Sequence, residues 1–399
     1  MNMGPDGNKF AITEVEYTER RRRVQQAMER EQLDALIAYS NAKVQANVRY
    51  LTSYFVRFAG MQTRTDGSYY QFGSTLCLMP GDDISPAVRT DQPWDQQRCK
   101  EMSIYPDTGF SDNLAADIGP TIKARGYKRV GIDNWYIFPA REYIRLQQEA
   151  PGTEFVPTHL MSEVRRVKSA TELVIMRQAA RVGVEAVAKA LDAIEVGGSE
   201  FEISLMCEYD MRSGGDLHGS GESIGGCGAH TATGSFVPSR YNDRKMKAGE
   251  WVMLDVCPRV EGYCSDLSRH RVVGDESALD PMLKRLYATT VLMQQEVLKA
   301  AKPGISGRQL NSLARQVATA EGFGQYKIDL LGHGIGIDIH DIPDYYYDDS
   351  ALQVGETITI EPCLLVPGVA GTRIEDTVLI TESGVEILTD SWKGLTPNH

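Results

Sequence analysis

Four acids stand in segments that otherwise read as buried strands: Asp255 in WVMLDV, Asp266 in YCSDLSR, Glu361 in ITIEPC and Glu375 in GTRIEDTVLI. A carboxylate withdrawn from water is costly unless something pairs with it, so any fold that accepts all four must bring them to a shared positive partner. Glu261-Gly262 lies between the first two acids and Pro367-Gly368 between the second two, which points to a pair of hairpins. Side chains alternate along a strand, so a two-residue turn near position 261 leaves Asp255 and Asp266 opposite each other or one diagonal step apart. Two ionised carboxylates that close repel, and a shared cation removes the repulsion. His333, between Gly332 and Gly334 in GHGIGIDIHDIP, adds an imidazole whose small neighbours allow close backbone approach. Four carboxylates and one imidazole form a hard, oxygen-rich set that favours Mn2+, Fe2+ or Co2+, admits Zn2+ and disfavours thiolate-preferring ions. Two such metal ions can activate a water and polarise a carbonyl together, which is the chemistry of amide hydrolysis.

The chain has 399 residues, too many for one small core, and two domains are expected, 1–158 and 159–399. The first reads as α/β: a charged helix from Glu14 to about Glu31, a buried strand from Leu33 to Tyr39, further strands at Ser74 to Met79 and Arg129 to Ile132, and helices at Asp117 to Arg125 and Ala140 to Glu149. The second opens on a long helix that Ser169 and Glu172 start as a capping box, and the signal recurs at Ser199 with Glu202 and at Ser306. Strand-rich stretches at Trp251 to Arg259, Tyr263 to Val273, Glu356 to Val366 and Thr372 to Thr381 alternate with these helices, as expected for helices on one face of a curved, mainly antiparallel sheet.

A net charge of −12 and the lack of a basic, aromatic-interleaved stripe argue against nucleic acid as a partner. The amino terminus has no apolar signal core, and no apolar run is long enough to span a bilayer, so a cytoplasmic protein without a membrane partner is expected. Seven scattered cysteines with no CxxC pair read as reduced thiols.

In this order the five contexts resemble the pita-bread metallohydrolase family, which includes prolidase, aminopeptidase P, methionine aminopeptidase and creatinase. The resemblance implies an α+β pita-bread catalytic domain with a smaller α/β creatinase-type amino-terminal domain. It also implies a dinuclear centre, Mn2+ foremost, in which Asp255 chelates one metal, His333 and Glu361 bind the other, and Asp266 and Glu375 bridge. Glu361 would double as proton shuttle, and His340 would bond the substrate carbonyl. The chain departs from the peptidases where they carry Pro-His before the first aspartate strand: here Ser239 follows Pro238. Two segments look instead like creatinase: SYFVRFAGM, with Phe55 and Arg57 placed to hold a substrate carboxylate in the neighbouring subunit, and GGCGAH, ending in His230 as a catalytic histidine. Arg373 is expected as a further substrate contact. The implied activity is metal-dependent hydrolysis of a C–N bond in a small carboxylate-bearing molecule or short peptide, of the creatinase or Xaa-Pro peptidase kind, by a homodimer. The alternatives are a lyase of the dimethylsulfoniopropionate-cleaving type and a non-catalytic scaffold.

Overall fold

The computed structural model describes residues 12–63, 65–66, 69–215, 223–345 and 348–395, without the side chains of residues 62 and 69–71; the amino-terminal tail up to residue 11 lies outside them. The chain divides into two compact units, one ending at Arg165 and the other beginning at Arg166. The division comes after residue 165 rather than 158 because the Leu160–Arg165 helix is tied into the first unit. Met161 N donates to Asp133 Oδ2 at 2.8 Å, and the Arg165 guanidinium reaches Asn47.

The first unit is built on a six-stranded mixed sheet in which Ala35–Asn41 lies between Ser74–Pro80, antiparallel, and Arg129–Asp133, parallel. The helices Leu114–Ala124 and Ala140–Glu149 cover it, joining Leu114, Ile118, Ile122 and Leu146 to Ile37, Tyr39, Leu76 and Ile132 of the sheet in one core.

The second unit has an eight-stranded sheet whose strand pairings are all antiparallel. Among the described residues four long α-helices accompany it: Ala170–Asp192, Glu200–Ser213, Pro281–Ala300 and Gly307–Ala320. Ser169 with Glu172 and Ser306 with Gln309 form complete capping boxes, satisfying amide groups that the first helical turn leaves without partners. Leu286, Met293, Val297, Leu310 and Ala314 of the last two helices pack with Trp251, Ile358, Ile360, Val378 and Ile380 of the sheet. Among the described residues no helix is long and apolar enough to cross a membrane.

Candidate metal centre

The acids arrive on neighbouring strands. In the pairing of Trp251–Val256 with Leu267–Val272, Asp255 lies across from Ser268, so Asp266 is one diagonal step away. Ser268 lies across from Glu375 on the next strand, and Ile360 across from Asp376 brings Glu361 level with Glu375 one step on. The two long hairpins expected from the sequence are interrupted here. The chain leaves the main sheet after Val256 and Ile360 into two short ribbons, Arg259–Val260 with Tyr263–Cys264 and Cys363–Val366 with Ala370–Arg373. Pro258 and Pro362 stand at the two exits, and a proline has no N–H with which to continue a ladder. Glu261 and Gly262 make the turn of the first ribbon with φ of 49° and 94°.

Alternation then sorts the chemistry. Asp266 and Ser268, Thr359 and Glu361, and Glu375 and Thr377 occupy every second position of their segments and so share one face. Ser268 Oγ donates to Glu375 Oε2 at 2.7 Å, Thr359 Oγ1 to Glu361 Oε1 at 3.3 Å, and Asp266 N to Thr377 Oγ1 at 2.8 Å. His333 enters from the strand beyond, in the only way glycine neighbours allow: a Cβ on Gly332 would stand 2.1 Å from Thr359 O, and one on Gly334 2.0 Å from Ile342 O. His333 Nδ1 faces its neighbour's carbonyl, Gly334 O, at 2.9 Å, which places the proton on Nδ1 and leaves the Nε2 lone pair toward the acids. Nε2 is 3.4 Å from Glu361 Oε1 and 3.9 Å from Asp266 Oδ2.

The structure therefore brings Asp255, Asp266, His333, Glu361 and Glu375 together, all buried. Potential ligand atoms of Asp266, His333 and Glu375 lie within 4.8 Å of one another, and so do those of Asp255, Cys257 and Asp266. Asp266 belongs to both sets. Among the described residues, buried Asp266 Oδ1 and Glu375 Oε1 have no hydrogen-bond partner. Burial first, and then the charge of Asp255, push Asp266 well above the usual carboxylate range; burial and then Asp266 do the same to Glu375. Glu361 is raised by burial, against the pull of Arg373. Four carboxylates with one guanidinium among them remain short of positive charge, and divalent cations fit both the deficit and the oxygen-rich donors.

The other expected site residues fall in three places. Arg373, expected at the substrate, is buried in the cluster itself: it pairs with Asp255, stands 3.5 Å from Glu361 and donates to Gly234 O at 3.1 Å. His340 is exposed beside the cluster, its ring edge-on to His333 at 4.2 Å between centroids. His230 sits on the short Gly228–Thr233 helix, which leads directly to the Gly234 carbonyl bound by Arg373. Its Nδ1 meets Glu200 Oε1 at 2.6 Å and its ring stacks on Phe236 at 3.9 Å. Phe55 and Arg57 belong to the first unit, where Phe55 is buried under the guanidinium groups of Arg49 and Arg98 and Arg57 is exposed. Sequence reasoning passed over Glu200, the hydroxyls of Ser268, Thr359 and Thr377, and Cys257. Parity with the acids marks the hydroxyls, whereas nothing local ties Glu200 to His230.

The fold and this acid cluster define a metallopeptidase. The chain belongs to metallopeptidase family M24, which residues 174–382 match, while residues 20–167 match the creatinase/prolidase amino-terminal domain, giving the two-part pita-bread architecture. It is 32% identical over 272 residues to an Xaa-Pro dipeptidase of Pyrococcus horikoshii, covering 68% of this chain and 75% of that one. Among solved structures it is similar to the prolidase from Pyrococcus horikoshii OT3, with a TM-score of 0.80 and 26% identity over 94% of this chain and 99% of that one. It is equally similar to an Xaa-Pro dipeptidase from Bacillus anthracis, with a TM-score of 0.80 and 26% identity over 95% and 99% of the two chains.

Proposed function

We propose that this chain is a two-cation peptidase that cleaves the amide bond of short Xaa-Pro peptides. The observation that carries the reading is the buried carboxylate cluster sharing Asp266, with oxygens of Asp266 and Glu375 left without donors among the described residues. The names of the relatives above supply the substrate class. Asp255 would hold one cation and His333 with Glu361 the other, with Asp266 and Glu375 between them, and Mn2+ suits these donors best. When bound, such a pair supplies Lewis acidity and a water of lowered pKa.

The protein's own groups do the rest. The Glu361 carboxylate, already drawn toward its protonated form by burial, takes the proton of the attacking water and passes it to the departing amide nitrogen. His340, exposed beside His333, donates to the carbonyl oxygen as negative charge gathers there. His230, its Nδ1 held by Glu200, leaves Nε2 as an acceptor for an N–H of the substrate. Arg373 balances the charge of Asp255 and Glu361 while the cations are absent or exchanging. The relatives named above carry peptidase names, and no observation favours the lyase or the scaffold.

Removing metal with a chelator should abolish hydrolysis of an Xaa-Pro dipeptide, and Mn2+ or Co2+ should restore it. Full turnover by the stripped protein would overturn the reading. We extend it to a cytoplasmic homodimer in which Arg57 of one subunit holds the substrate carboxylate in the other. The exposure of Arg57 and the seven cysteines, none of them in a disulfide, support this. Arg57→Ala should then raise KM by about tenfold or more, the loss of a charge-assisted bond, with cation affinity unchanged; equal loss of both would remove Arg57 from the site.

A further inference from the structure

Cys257 directly follows the strand that carries Asp255. The register that sets Asp255 against Ser268 and Val256 against Leu267, continued one step, brings Cys257 opposite Asp266. Ligand atoms of Asp255, Cys257 and Asp266 indeed lie within 4.8 Å of one another. Asp266, 4% exposed, keeps Oδ1 without a hydrogen-bond partner among the described residues and is the acid this set shares with His333 and Glu375. One of the two overlapping donor sets therefore contains a sulfur, and the other contains an imidazole and oxygens only.

We propose that Cys257 is a ligand of the cation held by Asp255 and Asp266, and that its sulfur biases that position toward Co2+, Zn2+ and Cd2+ over Mn2+. The proposal rests on the two-cation reading above. On binding, a metal–sulfur bond forms and the thiol proton leaves to solvent, with no change of oxidation state. The position served by His333, Glu361 and Glu375 keeps the preference of hard donors, so the two cation positions differ in kind. In the alternative, Cys257 stays protonated and only hydrogen-bonds the Asp266 carboxylate.

The test is a Co2+ titration of the metal-stripped full chain, followed by absorption. Visible ligand-field bands report cation binding at either position, and a near-ultraviolet thiolate-to-cobalt band reports sulfur ligation. The wild-type protein should show both. Cys257→Ser and Cys257→Ala should keep the visible bands and lose the ultraviolet band, with Cd2+ affinity lower by about tenfold and Mn2+ affinity within about threefold. Visible bands without the ultraviolet one in the wild-type protein, or an ultraviolet band that survives both substitutions, would overturn the assignment of Cys257 and leave the cation pair standing. A wild-type protein with neither band would overturn the two-cation reading and this proposal with it. Zinc-edge X-ray absorption of the wild-type protein is independent of how the variants fold: one sulfur at about 2.3 Å from one of two zinc ions is expected, and its absence refutes the proposal.

Discussion

Glu375 and Asp376 are adjacent on one strand and buried to the same degree, yet the two faces of the sheet treat them oppositely. Asp376 is surrounded by donors: Arg269 at 2.6 Å, Gln294 at 3.0 Å, Lys393 at 3.0 Å and the Thr389 hydroxyl at 2.8 Å. Glu375 has one hydroxyl at 2.7 Å, and its other oxygen has no donor among the described residues. An acid whose lone pairs are all met by side chains belongs to the structure, whereas a cluster of acids left short of donors and charge belongs to a ligand. The same contrast runs through Ser268 and Arg269, which serve Glu375 and Asp376 respectively.

The largest effect should come from the saturated face. Arg269→Ala leaves Asp376 with its charge buried and its main partner gone, and should destabilise the protein by about 3–5 kcal/mol, as measured by denaturant unfolding. A loss below about 1 kcal/mol would show that Lys393 and Gln294 suffice and that the two faces are less different than their geometry.

Asp266→Asn should do the reverse. Cation affinity and turnover should fall by at least about 100-fold, while the metal-free variant melts no lower than wild type near neutral pH. The sign follows from the raised Asp266 and Glu375. Their folded forms favour the proton, so the stability they contribute is fully present below the ordinary carboxylate range and is lost as pH rises through their elevated values. The metal-free wild type should therefore lose melting temperature as pH climbs from that range. Added Mn2+ favours the ionised forms, so its stabilising effect should grow over the same interval; a cation effect that shrinks with rising pH would contradict the arrangement.

The smallest effect should come from Ser268→Ala, which removes the donor Glu375 has among the described residues. Cation affinity should weaken by about tenfold with little change in unfolding free energy of the metal-free protein. A stability loss without an affinity change would reassign Ser268 to the structural face.

Much of this molecule was legible in its residues, and the reason is that the signals were local. Ser169 with Glu172 starts its helix through contacts three residues apart, and Glu261-Gly262 turns a ribbon with its own backbone. The alternation of side chains tells which residues share a face with Asp266 or Glu375 before any partner strand is known. The interruption of both hairpins was less plain, although Pro258 and Pro362 announce it.

The acids, the lone imidazole between glycines and the parity of their strands are properties of the chain itself, because each depends on residue type and on neighbours within a turn. Which acid is saturated and which is left open was decided only by the fold. Arg269 meets Asp376 across 107 residues and Glu200 meets His230 across 30, and Cys257 joins the cluster through the register of two strands. Pairings of that range are set by how whole strands and helices pack, and no local stretch of sequence encodes them.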